Sequence, residues 1–316
     1  MTPPAPDYTG LSARRSKRWQ PLRHALEYAL VRAILALAAW IPVRTCQRLG
    51  SAMGAALYSL PSSHRRIAEV QLALAFPELD AAARRRLGRT CFRHLGMTAW
   101  EALALPRLRR EARRWIRLEG EEVLRAAYAE GRGVVLLTGH VGNWELLSIV
   151  FDLVALPARA VVRTLVNRRV SDLLVRHRNA THLGVIQRGA PDAPRQLLAC
   201  LKGGEALVLA IDQDIRGQGV FADFFGVPAN TPRVAASLAL RLGAPVVTAF
   251  DARGPDGVHT FRFERLPPPP GISDDAAGVR AFTQTFNDAI ERHVRAHPEQ
   301  WAWNHRRWKR RPPPEA

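Results

Sequence analysis

The chain has 316 residues, 47% hydrophobic and 23% charged, a balance that excludes a disordered or collagen-like protein and leaves length for one large domain or two modest ones. Its 46 Lys and Arg stand against 28 Asp and Glu, a formal net charge of +18 that calls for an anionic partner: nucleic acid, membrane, phosphorylated lipid or an acidic carrier protein. Cys46, Cys91 and Cys200 lie far apart with no C-x-x-C pair, which argues against a disulfide framework and fits small buried residues in a reducing compartment.

Residues 14–24 carry five fixed positive charges and no acid. The apolar stretch that follows, 25–43, is broken by Glu27 and Arg32, so its uncharged part is only 33–43. As a helix that part is about 16 Å long, against a hydrocarbon core of about 30 Å. Pro42 and Arg44 interrupt the run and no small-x-small cleavage site follows, so the segment does not read as a signal peptide. It reads as a helix lying in the cytoplasmic leaflet, or dipping into it, with the basic flank holding it there. A span with Arg32 snorkelling and a buried helix of a helical subdomain are the alternatives. From 44 to 118 the pattern stays helical, with apolar residues recurring at three and four and Pro61, Pro77 and Pro106 as punctuation. Asp80 is placed to cap a helix. The runs Arg84, Arg85, Arg86 and Arg109, Arg110, Arg113, Arg114 read as solvated faces.

After Gly120 the rhythm changes. Helices are predicted over 122–128, 144–156, 170–182, 193–202, 233–242 and 276–294, and strands over 133–138, 160–163, 206–211 and 245–250, with an edge strand at 258–264. The fold class is therefore α/β: a mostly parallel sheet flanked by helices, preceded by an N-terminal helical membrane-associating region. The expected division is a basic tail (1–24), a helical region (25–118) and an α/β domain (119–316). In such sheets the chemistry collects at the carboxyl ends of the strands, here just after Thr138, Arg163 and Ile211.

After Thr138 comes Gly-His-Val-Gly-Asn-Trp-Glu145. The H-x-x-x-x-E spacing puts the His140 imidazole on a tight turn, with Gly142 in it, and the Glu145 carboxylate in the first turn of the next helix. A carboxylate there is expected to hold one ring nitrogen and fix the tautomer, leaving the other to take a hydroxyl proton. The N–H groups of Asn143 and Trp144 point where an oxyanion would form. G-x-S-x-G, P-loop, G-x-G-x-x-G and H-E-x-x-H patterns are all absent, and His293 with His297 has no third ligand nearby, so neither a metal nor a resident cofactor is expected.

The string Thr138-Gly-His-Val-Gly-Asn-Trp-Glu-Leu-Leu147 resembles the first motif of the lipid A biosynthesis late acyltransferases, within the lysophospholipid acyltransferase superfamily. Arg66-Ile67 with Ala75-Phe-Pro-Glu78 is similar to that family's helical lead-in, and Arg163, Asn167, Arg178 and Gly184 to its second block. Ala210-Ile-Asp-Gln-Asp214 with Phe224-Phe-Gly-Val-Pro228 and Thr231 resembles the third. Pro298-Glu-Gln-Trp301 with Trp303 and His305-Arg-Arg-Trp-Lys309 resembles the C-terminal signature. Thr164 and Arg168 stand where the second block normally carries prolines, which leaves another glycolipid or a lysophospholipid open as acceptor.

The resemblance implies acyl transfer from a thioester of acyl carrier protein or coenzyme A to a hydroxyl of an anionic lipid, foremost a lipid A precursor, on the cytoplasmic face of the inner membrane. His140 is then the base and Glu145 its orienter. Arg163 is expected to grip a phosphate or the oxyanion. Asp212 and Asp214 are expected to position Arg163 or the hydroxyl, or else to form a turn ahead of Gly217 and Gly219. Gly142, Asn143 and Asn167 are expected at the substrate. Phe224 and Phe225 are expected to line the acyl slot, unless they are core. Arg306 and Arg307, beside Trp301, Trp303 and Trp308, are expected at lipid phosphates in the headgroup layer. The rival classes, a nucleic-acid-binding protein or a structural membrane protein, leave the His-Gly turn idle, and no nucleic-acid recognition module is present.

Overall fold

A computed structural model describes residues 20–163, 166–178, 182–215, 217 and 219–312. Most of the expected basic tail (residues 1–19), and Thr164 of the second block, lie outside the described residues. Four helices lead: α1 (Gln20–Ala38), α2 (Val43–Ser59), α3 (Ser63–Ala75) and α4 (Ala81–Leu103). Ser62 caps α3 by accepting from Arg65 N at 3.2 Å, and Asp80 caps α4 by accepting from Ala83 N at 2.6 Å. No described helix is long and apolar enough to cross a membrane.

α2 and α4 pack backbone against backbone. A Cβ on Gly54 would stand 2.0 Å from the Phe92 carbonyl oxygen, and one on Gly50 would stand 2.4 Å from that of Gly96. Glycine is what lets the two helices approach this closely. Gly54→Ala should therefore cost about 1–3 kcal/mol of stability through overpacking, read as a lower denaturant midpoint at unchanged slope.

The short helices α5 (Leu105–Arg110) and α6 (Ala112–Trp115) lead into the sheet. Its elements follow as β1 (Ile116–Glu119), α7 (Glu121–Ala129), β2 (Val134–Thr138), α8 (Leu147–Val154), β3 (Ala158–Arg163), α9 (Arg168–Arg178) and β4 (Leu183–Arg188). Then come α10 (Ala193–Lys202), β5 (Ala206–Ala210), β6 (Gly219–Phe224), β7 (Val227–Pro232), α11 (Val234–Leu242), β8 (Val246–Arg253), β9 (His259–Arg265) and α12 (Ala276–Ala296). The seven-stranded sheet has the order β1-β9-β8-β2-β5-β3-β4, parallel throughout except for the β8–β9 hairpin. β6 and β7 form a separate antiparallel hairpin.

Three features depart from the sequence expectation. β9 is not an edge strand, because β1 pairs in parallel outside it. β1, β4, β6 and β7 are additional strands, and β4 forms the far edge of the sheet. The β6–β7 turn places Phe225 and Gly226 at φ +53° and +68°, the two left-handed residues of a tight hairpin, with phenylalanine where asparagine or glycine is usual.

The core lies on both faces of the sheet, and the two-residue period of the strands assigns each side chain. Val135, Leu137, Leu207 and Leu209 face a cluster with Leu72, Phe92, Phe286, Trp301 and Trp303. Val134, Leu136, Ala206 and Val208 face the other, with Leu124, Val150, Phe151 and Trp115. The first cluster is drawn from both the lead-in helices and the α/β part, so one core runs across residue 118.

Candidate active site

β2 and β5 are hydrogen-bonded neighbours in register, Thr138 opposite Ala210, so the residues just beyond them meet. His140 follows one strand end and Asp212 the other. The Asp212 carboxylate, fully buried, accepts from His140 Nδ1 at 2.8 Å, from His140 backbone N at 2.7 Å and from Trp301 Nε1 at 2.8 Å. A buried carboxylate with three donors stays ionised. Burial pushes Asp212 upward, but the charge and hydrogen bonds of His140 outweigh it and hold the carboxyl well below its ordinary value. Burial likewise pushes His140 down, and the charge and hydrogen bond of Asp212, with the charge of Glu145, lift it above the ordinary histidine value. With the proton on Nδ1, Nε2 is the ring nitrogen left to act as base.

The partner of His140 is therefore Asp212, not Glu145. Glu145 Oε1 accepts from Arg178 Nη2 at 2.7 Å, and its other oxygen binds Arg178 Nε, a bidentate pair from α9. The turn of 3₁₀ helix at Trp144–Leu146 carries the carboxylate away from the imidazole and toward α9. Only the charge of Glu145 reaches His140.

The turn itself is clamped from behind. Gly142 has φ +56°, and a Cβ there would stand 2.4 Å from Asp251 Oδ2, so only glycine fits. Asn143 N donates to Asp251 Oδ2 at 2.7 Å, and Asn143 Nδ2 to Glu101 Oε2 at 2.9 Å. Asn143 is thus a buried strut and cap, not a substrate contact, and its N–H is not free for an oxyanion. Trp144 N–H remains without a partner among the described residues.

Glu101 also accepts from Gln47 at 2.8 Å and Arg253 at 2.6 Å, and it meets His259 at 3.2 Å; His259 Nδ1 meets Asp251 at 2.6 Å. Burial works against a charged His259, but Asp251 and Glu101 outweigh it and raise its pKa to about 9. A raised histidine pKa stabilises fully below the unfolded value of about 6.5 and loses that contribution as pH climbs through the folded value. Thermal stability should therefore fall between about pH 6.5 and 9. His259→Gln should flatten that slope in melts taken across the range.

The C-terminal segment closes the site. Val141 and Trp301 form an antiparallel bridge, Ala302 N donates to His140 O at 3.0 Å, and Gly142 N to Gln300 O at 3.0 Å. Trp301, Trp303 and Trp308 are about 1% exposed, buried with Phe224 and Phe225, so none faces a headgroup layer. Phe224 and Phe225 are core and line no slot. Arg307 is fully buried. It bonds Asn230 O at 2.8 Å, Thr231 Oγ1 at 2.6 Å and Asn287 Oδ1 at 3.3 Å, and burial lowers its pKa to about 10. It ties the tail to β7 and α12 rather than to a lipid. Arg306 is half-buried and lines no catalytic cavity. Asn167 joins α9 to α1, donating to His24 O at 2.9 Å and Glu27 at 3.0 Å, and is no substrate contact.

His140 opens on a cavity of about 560 Å³ between β3, β4, β5, α8 and α9, within the usual range for a small-molecule pocket. Leu147, Val161, Leu174, Val175, Leu183 and Val208 give it an apolar body. Arg163, Arg178 and Arg188 give it a cationic rim, and Arg163 and Arg188 have no ion pair among the described residues. Asp214 also lines it, held by Asn230 Nδ2 at 3.0 Å. Among the described residues no group of three or more His, Cys, Asp or Glu is placed to hold a metal, and His293 and His297 are no exception. Sequence reasoning missed the roles of Glu101, Asp251, His259 and Trp301; Trp301 alone carried a signal, its place in the tail motif.

An ionised carboxylate thus holds an imidazole at the carboxyl ends of a parallel sheet, over a cavity apolar within and cationic at its mouth, an arrangement suited to general base chemistry on an amphiphile. The profile of the bacterial lipid A biosynthesis acyltransferases matches residues 14–310. The chain is 31% identical over 269 residues to a lipid A biosynthesis palmitoleoyltransferase of Escherichia coli (strain K12), covering 84% of this chain and 85% of that protein. It is 30% identical over 285 residues to a lauroyltransferase of lipid A biosynthesis from the same organism, covering 88% and 90%. To a phosphatidylinositol mannoside acyltransferase of Mycobacterium tuberculosis (strain CDC 1551 / Oshkosh) it is 27% identical over 194 residues, 60% of this chain and 58% of that protein. The chain belongs to the bacterial lipid A biosynthesis acyltransferase family, and it is an enzyme that transfers acyl groups.

Proposed function

We propose that this protein moves a fatty acyl group from a thioester, of acyl carrier protein or coenzyme A, to a hydroxyl of a lipid A precursor. The observation that carries the reading is the His140–Asp212 pair at the mouth of the apolar, cation-rimmed cavity. His140 Nε2 takes the proton of the acceptor hydroxyl as its oxygen attacks the thioester carbonyl carbon. The carbon–sulfur bond then breaks, the thiolate leaves with the proton from His140, and an ester remains. The Trp144 N–H and the Arg163 guanidinium are the donors of the same cavity suited to the oxyanion. Arg178, held by Glu145, and Arg188 suit the phosphates of an anionic acceptor. A lipid A-type acceptor is preferred over a phosphatidylinositol mannoside because the relatives named for lipid A align over most of the chain.

The proposed reaction takes place at a membrane surface. Leu26, Leu30, Leu37 and Trp40 of α1 and its exit are exposed, Trp40 to 84%, and so are Leu49, Met53, Leu57 and Leu60 along α2 and its end. Such rows suit helices seated in the headgroup boundary rather than across the bilayer. α1 is bonded through Asn167 to α9, a wall of the cavity, so a lipid would enter from the seated side. This supports action at a membrane surface, which we take to be the cytoplasmic leaflet of the inner membrane.

The test is mass spectrometry of membrane lipids from cells with and without the protein. A lipid A precursor heavier by one acyl chain is the expected result. An added chain found only on another lipid overturns the acceptor, and no change overturns the reading.

A further inference from the structure

A second recess lies apart from the catalytic cavity, between α2, α4 and the β8–β9 turn. It measures about 490 Å³. One wall is a strip of α2, with Arg44, Gln47, Arg48 and Ser51. The facing wall is Arg93, His94 and Met97 of α4, and the floor is Arg253 with the turn from Gly254 to Gly257. None of these residues belongs to the catalytic cavity.

Its charges are unbalanced. Arg48 and Arg93 have no ion pair or hydrogen-bond partner among the described residues, and Arg44 has only the Trp115 ring, 5.7 Å away. Arg253 is already neutralised by Glu101 at 2.6 Å. The only acid in the recess, Asp256, accepts from Val258 N at 3.1 Å and faces Arg117 at 4.0 Å. Arg44, Arg48 and Arg93 thus line a hollow whose one acid, Asp256, is tied back to its own turn through Val258 N. Arginine forks suit phosphate oxygens.

The helix that supplies two of these arginines also carries the exposed row Leu49, Met53 and Leu57, one residue round from Arg48 and Ala52 on the recess wall. A nucleic acid would use the cations and leave that row in water. A bilayer covers both at once, the chains against the leucines and a headgroup in the hollow.

We propose that this recess is a second lipid site, which takes the phosphate of an anionic phospholipid of the host membrane and orients the enzyme on it. The inference rests on the membrane-surface reading above and adds the lipid class and the residues that select it.

The test is co-sedimentation of the full chain with phosphatidylcholine vesicles, with and without phosphatidylglycerol, for the parent, Arg48→Glu/Arg93→Glu, the milder Arg48→Gln/Arg93→Gln, and Arg85→Glu/Arg86→Glu as a control of equal charge change elsewhere on α4. The parent should gain affinity with phosphatidylglycerol. The glutamine pair should lose roughly 30-fold of that gain, and the glutamate pair more. Binding to neutral vesicles and acyl transfer in detergent micelles should stay at the parent level, and the control should lose much less. Equal losses in the control and the recess variants overturn the site in favour of a diffuse field. A phosphatidylglycerol gain undiminished in both recess variants also overturns it. A parent that sediments with neither vesicle sinks the membrane reading itself, while micelle activity still reports separately on acyl transfer.

Discussion

His140→Ala should fold as the parent does and lose about 10²–10⁴ in kcat/KM for acyl transfer, the usual worth of a positioned general base. Folding should survive because Asp212 keeps the His140 backbone N–H and the Trp301 indole as donors, so no buried carboxylate is stranded. The parent's rate should also carry the signature of the base. Since Asp212 lifts the His140 pKa, the acid limb of the kcat/KM profile should lie above pH 6.5, with the rate rising as the imidazole loses its proton. Near-normal turnover of the alanine variant, in steady-state assays with a thioester donor, would remove His140 from the chemistry.

Asp212→Asn should cost a similar factor, about 10²–10⁴, for a different reason. An amide keeps the shape and one oxygen, which can go on accepting from His140 N and Trp301 Nε1. Its NH₂ then faces His140 Nδ1 and donates to it, so the ring proton moves to Nε2, the atom that has to be bare. The acid limb should fall back toward the ordinary histidine range, because the charge that raised it is gone. The double variant with His140→Ala should be little worse than either single one, since the two act as a unit. Glu145→Gln supplies the contrast: it loosens Arg178 and leaves the tautomer alone, so its loss should be smaller and appear mainly in KM. If Glu145→Gln proved the more damaging in kcat, with Asp212→Asn nearly silent, Asp212 would not be the catalytic partner of His140.

The α/β alternation was readable because buried parallel strands such as Val134–Thr138 are short unbroken apolar runs between helical periods. Once those strands were placed, the carboxyl-end rule put His140 and Asp212 at one edge. Which carboxylate meets the imidazole was not readable. Glu145 is five residues from His140 and Asp212 is far along the chain, and strand neighbourhood rather than sequence distance decides between them. β1 and β4 escaped for a related reason. Ile116–Glu119 is too short to show a period, and Leu183–Arg188 carries polar residues because it forms the sheet edge. The aromatic and cationic tail misled because tryptophan beside arginine describes a headgroup layer and a buried seam equally well. Only the partners of Arg307, a carbonyl, a hydroxyl and an amide, decide for the seam. Glu101 is silent in sequence, one acid on a helix, yet it joins Gln47, Asn143 and Arg253 in a single buried knot.

The seam between residues 300–302 and the catalytic turn has a consequence for the order of events in the cell. During synthesis the loop around His140 leaves the ribosome long before the segment that will brace it. Until Trp301 arrives, Asp212 lacks its indole donor, and the backbone on either side of the imidazole lacks its partner strand. The His140 turn of the nascent chain therefore stays without its brace until the segment around Trp301 has emerged and docked.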